Sequence, residues 1–419
     1  MSISLPATLR EPIAAAKKET ALASPAIPLY IYAVSLASFL TVIGILWDIS
    51  WHVSIGRDKF LSPPHILIYL GAIFGGLFSG IQVLWNTFRG PESARNSLVR
   101  VWGVFYSPLG ALFCIWGAIA MLTSAPFDDW WHGAYGLDVQ ILSPPHSLLG
   151  LGMLFLQFGA CVCISKYLNT NEGETGRTAG DAASPTRLQA ASGSRSLSVL
   201  RFLFITSAAS LLCMIYTFGT VYLHNRGMRA SLFYQVAALL TLLLLPALGR
   251  ALRMKWGMTA IALGYFTIAA VTNWVLQIFP AEPKLGPILT HVTHFQPAHF
   301  PLLIVLPALA MDGVMQRVKS NDWVKAGLLS VLFVLLLLAV EYPFSGFLLE
   351  SPGARNWFFG AESWYFGNSP DTPFRYKFRL HEIDPFPVLA AGIGIAILIG
   401  LLAGRLSLRW GRWMQSIQR

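Results

Sequence analysis

Long apolar stretches separated by short polar ones run the length of the chain. Runs able to cross a bilayer fall at about 29–47, 65–88, 101–123, 146–168, 198–223, 230–249, 257–279, 299–316, 326–349 and 386–405. A helix of about 20 apolar residues spans the hydrocarbon core, so the pattern predicts an all-α polytopic membrane bundle of roughly ten transmembrane helices. The eighth run is short and carries Asp312 near its inner end. Residues 169–197 are rich in Gly, Ser, Thr and Ala and read as a disordered cytoplasmic linker. It divides a four-helix half, 29–168, from a six-helix half, 198–419. Residues 1–28 are polar, of mixed charge and rich in Ala and Pro, without the early apolar core of a secretory signal, and read as a cytoplasmic segment.

Composition sharpens this picture. Hydrophobic residues make up 55% of the chain and charged ones 12%, about half the charge of an average soluble protein. The net charge of +10 could suit a nucleic-acid partner, but its placement fits a bilayer better. Arg10, Lys17, Arg89, Arg95, Arg100, Arg177, Arg187, Arg250, Arg253, Lys255, Arg317, Lys319 and the tail from Arg405 all fall on one side of an even-numbered topology. The connection Ser124–Pro145 has no Lys or Arg. The positive-inside rule then places both termini in the cytoplasm and the connections at 48–65 and 124–145 outside. The last outer loop, with Arg355, Arg375, Lys377 and Arg379, is long enough to escape that rule. All nine histidines lie in or beside outward connections, which favours a functional outer face, periplasmic in a bacterial-type membrane. Cys114, Cys161, Cys163 and Cys213 sit inside apolar runs and read as small buried hydrophobes.

One stretch occurs twice. Trp47–His65 and Phe127–His146 match at an acid (Asp48, Asp128), a Trp-His pair (Trp51-His52, Trp131-His132), a Gly-x-Asp (Gly56 and Asp58, Gly136 and Asp138) and a closing Leu-Ser-Pro-Pro-His. An Asp and a His four apart lie on one face if the preceding helix continues through them. The second His then returns from the next helix: Ser62 or Ser143 reads as the N-cap, the prolines as the first helical residues, and the His falls in the first turn. That positive helix end favours the neutral, ligating imidazole. Asp48, His52 and His65, and again Asp128, His132 and His146, therefore form two candidate metal sites. Two imidazoles and one carboxylate suit copper, zinc or non-haem iron, and spacing does not choose among them. Trp51, Arg57, Asp58, Trp131 and Asp138 are candidates for a surrounding shell that orients the ligands.

Asp48-x-x-Trp51-His52, Arg57-Asp58 and Ser62-Pro63-Pro64-His65 resemble the metal-binding signature of the C subunit of the particulate methane and ammonia monooxygenases: Asp-x-x-Trp-His, Arg-Asp, Thr-Pro-Ser-His. Asp128, His132 and His146 resemble that family's second motif, with Asp128 where the family has Asn and Asp138 where it has Glu. The resemblance covers about 40–160. It implies a copper-binding membrane subunit, working with A-like and B-like subunits, of a complex that oxidises a small apolar substrate with O2. The alternative from the residues alone is a metal-binding or copper-handling membrane protein without oxygenase activity.

The second half carries weaker signals. His291, His294 and His299 precede an apolar run, and Gln296-Pro297-Ala298-His299 reads as a decayed third copy of the Ser-Pro-Pro-His helix start and a further candidate metal site. His224-Asn225-Arg226 reads as a short polar turn. Glu341 lies near the outer end of its helix, and an acid at membrane depth is a candidate functional group. The aromatic loop Glu350–Pro385 is expected to lie over the outer surface.

Overall fold

The computed structural model describes residues 27–56, 60–136, 143–178, 187–284, 292–354, 356–360 and 382–418. Among the described residues ten helices of more than one turn carry the fold: α1 (Leu29–Ser54), α2 (Pro63–Phe88), α3 (Leu109–Tyr135), α4 (Pro144–Thr178), α5 (Arg187–Phe218), α6 (Ser231–Leu252), α7 (Gly257–Leu276), α8 (Val305–Arg317), α9 (Asp322–Glu350) and α10 (Phe386–Gln415). All but α8 are long and apolar enough to cross a membrane. Large apolar side chains such as Leu77, Ile81, Leu398 and Leu402 point outward, as expected of a bundle whose solvent is lipid.

Three sequence expectations change. The run at 299–316 is not one helix. The chain stays extended to Leu303 and only then forms α8, of 13 residues, because Pro297 and Pro301 force their predecessors out of the helical region. His299 therefore lies outside any helical first turn, and the third-copy helix start is not formed. The run at 101–123 begins as a hairpin, β1 (Val99–Val101) and β2 (Phe105–Ser107). Trp102 and Gly103 turn it with φ of 49° and 73°, in a three-residue loop between the paired Val101 and Phe105. The linker at 169–197 is shorter than expected, since α4 continues to Thr178 and α5 begins at Arg187 with the helix-favouring Leu188-Gln189-Ala190-Ala191. Residues 1–26, 179–186 and 361–381 lie outside the described residues.

The two halves share one core. Tyr30, Ile31, Val34, Cys114 and Cys161 belong to the same buried cluster as Phe204, Tyr234, Phe333 and Leu408. The four cysteines are buried and unpaired by disulfides, in line with small apolar roles. Hydrogen bonds cross between the halves: Ser35 Oγ–H donates to Leu203 O at 3.2 Å, and Asn169 Nδ2 donates to both Met414 O and Ile417 O at 2.9 Å. At the other end, Ser50 Oγ–H donates to Gln296 O at 2.6 Å, and Gln296 N–H donates to Ser54 Oγ at 2.7 Å. That pair fastens the last turns of α1 to the extended segment before α8.

At the base of α9, Asp322 joins Arg250 of α6 with Arg405 and Arg412 of α10. One acid holds three guanidiniums whose mutual repulsion it offsets. Asp322→Ala is expected to lower stability by roughly 2–3 kcal/mol, less than for a fully enclosed pair because Arg412 is half exposed. Thermal unfolding of the detergent-solubilised chain measures it, and no change in midpoint would show that the cluster is not stabilising.

Candidate metal centre

Each duplicated motif becomes a helix end, a turn and a helix start. α1 carries Asp48 and His52 through its last two turns, and α2 begins at Pro63 with His65 at its third position. α3 and α4 repeat this with Asp128, His132 and His146. The two prolines remove the N–H groups of the first two helical positions, so only the His N–H of the first turn still needs a cap. In the second copy Ser143 Oγ accepts it, from His146 N at 3.4 Å. In the first, Ser62 occupies the N-cap position without a side-chain cap bond.

In both copies the two imidazoles meet opposite oxygens of one carboxylate. His52 Nε2 stands 3.7 Å from Asp48 Oδ2 and His65 Nε2 3.3 Å from Asp48 Oδ1. His132 Nε2 stands 3.4 Å from Asp128 Oδ2 and His146 Nε2 3.5 Å from Asp128 Oδ1. These separations exceed the usual 2.7–3.2 Å of an N–H···O hydrogen bond. They suit two atoms that share an ion: bonds of about 2.1 Å meeting near the tetrahedral angle place their ends about 3.4 Å apart. In the second copy one donor atom from each of the three residues lies within 4.8 Å of the others. Asp48 Oδ1 and Asp128 Oδ1 are buried and accept no hydrogen bond among the described residues. A buried carboxylate oxygen without a donor is costly unless a cation meets it.

In the second copy a backbone carbonyl stands beside the other nitrogen of one imidazole. His132 Nδ1 lies 3.3 Å from Gly136 O, and a carbonyl accepts only from a protonated ring nitrogen. A ring carrying its hydrogen on Nδ1, toward that carbonyl, presents the lone pair of Nε2 to Asp128. Lone pair against carboxylate is repulsive, and a cation between them makes it attractive. Gly136 closes α3 with φ 80° and ψ −174°, a backbone essentially restricted to glycine. Gly56, its counterpart, has φ 103°, which accounts for glycine at that place in both copies. Gly136→Ala is expected to swing the carbonyl off His132 and weaken ion binding at the second triad by about 10–100-fold, the usual effect of losing an outer partner. Competition titration with a chromophoric chelator measures it, and unaltered affinity would remove the carbonyl from the site.

Trp51 turns toward Phe295, ring centroids 6.1 Å apart, and joins the small cluster of Ile55, Leu276, Ala281 and Phe295. Trp131 packs on Tyr135 at 4.4 Å. Both tryptophans thus anchor their own helix ends. Arg57, Asp58, Asp138 and His291 lie outside the described residues. His294 Nδ1 contacts Thr293 Oγ1 at 3.0 Å, and the His299 ring lies 6.4 Å from that of His224. His224 caps the turn Asn225–Gly227, its Nδ1 accepting from Gly227 N. The Gly136 carbonyl and the Ser50–Gln296–Ser54 clasp were missed by sequence reasoning. Duplication of the glycine was a signal for the first, and nothing in the sequence pointed to the second.

The triads are half open: the side chains of Asp128, His132 and His146 are 27%, 25% and 36% exposed. Two or three protein donors with an open side leave coordination positions free for a small ligand. Comparison with protein-family models, curated proteins and solved structures finds no match to this chain.

Proposed function

We propose that the chain is a copper-binding integral membrane subunit of a particulate-monooxygenase-like complex that oxidises a small apolar substrate with O2. What carries the reading is the repeated convergence of two imidazole nitrogens on the two oxygens of one aspartate, at 3.3–3.7 Å, within motifs that resemble the C-subunit signature. Copper held there would supply the redox centre. The protein's own part is to hold two imidazoles on one carboxylate, leave open coordination positions, and set the site where the bilayer delivers apolar substrates. In this reading about ten membrane segments put both termini in the cytoplasm and both triads on the periplasmic side, and A-like and B-like subunits complete a hetero-oligomer.

Copper-loaded membranes containing the chain and its co-purifying subunits are expected to consume O2 when a short alkane is supplied. His52→Ala and His132→Ala should each lower bound copper and alkane-dependent O2 uptake together. Loss of copper with no alkane-dependent uptake even in the unmutated protein would assign the chain to copper handling instead. No bound metal in the unmutated protein would overturn both readings.

A further inference from the structure

The six-helix half buries an acid that the metal reading does not use. Glu341, on α9, is 0% exposed. Its Oε1 accepts a hydrogen bond from Leu303 N at 2.7 Å, where the extended segment leads into α8. Its Oε2 is buried and has no hydrogen-bond partner among the described residues. An ionised carboxylate there would keep one bare, desolvated oxygen, an arrangement that real sites avoid by taking up a proton or a cation.

The neighbours decide between those two. Tyr216 of α5, Tyr234 of α6 and Tyr265 of α7 lie within electrostatic reach of Glu341. Tyr234 O–H donates to Met228 O at 2.7 Å, and Tyr216 O–H shares a 2.5 Å hydrogen bond with Thr241 Oγ1. Tyr265 Oη accepts from Leu302 N at 2.9 Å, next to the amide that Glu341 accepts, and keeps its own hydroxyl hydrogen. Two arginines stand on this side: Arg226, in the turn Asn225–Gly227 against α9, and Arg229. The Arg229 guanidinium stacks over the Tyr342 ring at 5.0 Å and donates to Ser345 Oγ at 3.2 Å, a turn further along α9. α10 brings no titratable side chain between Phe386 and Gly404. Asp312 of α8 is held by Met258 N, Thr259 N and Thr259 Oγ1 at the far end of that helix. A metal cation such as Na⁺ or Ca²⁺ needs several oxygen ligands, and one carboxylate among phenols does not supply them. A proton needs only Oε2.

We propose that Glu341 is an intramembrane proton-binding site of the six-helix half, neutral at rest and exchanging its proton with water at the histidine-bearing end. Binding forms the Oε2–H bond with a proton taken from water and removes one negative charge. Glu341 lies nine residues before the end of α9 at Glu350, about 14 Å along the axis. That end also carries His299 and the His224–Glu382 pair, whose closest atoms are 3.6 Å apart. An acid at this depth that gains and loses a proton is the working group of proton relays and proton-coupled carriers. The inference stands apart from the metal reading, and its test uses chelator-treated, metal-free protein.

Infrared difference spectra of the full chain in lipid nanodiscs, recorded over a pH series, test it. A carboxylic acid C=O band that shifts in D2O is expected near neutral pH, bleaching as pH rises, absent in Glu341→Gln and displaced in Glu341→Asp. Tyr265→Phe is expected to move the band without abolishing it. If Glu341→Gln fails to accumulate, the Glu341→Asp displacement carries the assignment. The proposal is overturned if wild type and these variants share the same acid-band spectrum, or if added sodium abolishes the band at constant pH.

Discussion

Replacing Asp128 by alanine is expected to abolish ion binding at the second triad, with affinity falling by well over 100-fold, beyond the 10–100-fold typical of an outer partner. The size follows from its position. Among the described residues, Asp128 is the one that both imidazoles approach, His132 at Oδ2 and His146 at Oδ1. Without it two imidazoles remain, 6.5 Å apart between centroids, and the carboxylate that both of them meet is gone. Asp128→Asn keeps one oxygen donor and should bind more strongly than the alanine variant but more weakly than wild type. The first triad, on α1 and α2, should be unaffected. Metal titration of the single variants reads the result directly, and equal binding by Asp128→Ala and wild type would exclude this carboxylate as a ligand.

Gly117→Ala is expected to be nearly as damaging to the second triad, although it lies far from the ligands along α3. α3 and α4 cross through two glycine pairs. A Cβ on Gly117 would fall 2.6 Å from both Gly152 O and Leu156 N, and one on Gly110 would fall 2.5 Å from Cys163 N and 2.6 Å from Gly159 O. The contacts are reciprocal, since Gly152 and Gly159 would meet the carbonyls of Gly117 and Gly110 at 2.8 Å. Small residues let membrane helices approach backbone to backbone, and here the approach sets the distance between the Asp128/His132 face and His146. Backbone atoms cannot give way as a side-chain tip can, so even a methyl group must push the helices apart. The expected cost is about 2–3 kcal/mol of stability, in the upper range for overpacking, with loss of ion binding at the second triad and none at the first. Gly80→Ala, on α2 with open space where its Cβ would go, is the control and should leave both unchanged. Retained metal affinity in a destabilised Gly117→Ala would show that the site does not depend on this crossing.

Much of this was legible in the sequence because membrane helices and helix ends obey short-range rules. The spacing of Asp48 and His52, and of Asp128 and His132, places each pair on one helix face. Ser-Pro-Pro-His starts the returning helix in both copies, and the structure brings each second histidine onto the same carboxylate. What escaped depends on partners distant in sequence. The extended segment before α8 is stabilised by Glu341, Tyr265, Ser50 and Ser54, which replace the hydrogen bonds a helix would make, and hydropathy carries no trace of that substitution. The close crossing of α3 and α4 was hidden because glycine is plentiful, 36 residues in the chain, and only packing shows which glycines face a neighbour. The strands at the start of the run 101–123 look helical in the sequence because Val, Trp and Phe are apolar in either state.

The most direct test is the metal content of the purified chain, with X-ray absorption at the copper edge, for wild type, Asp48→Ala, Asp128→Ala and the double variant. Copper bound by nitrogen and oxygen donors, lowered in each single variant and lost in the double, is the predicted result. A chain that binds no metal, or whose bound metal is the same in wild type and double variant, would contradict it.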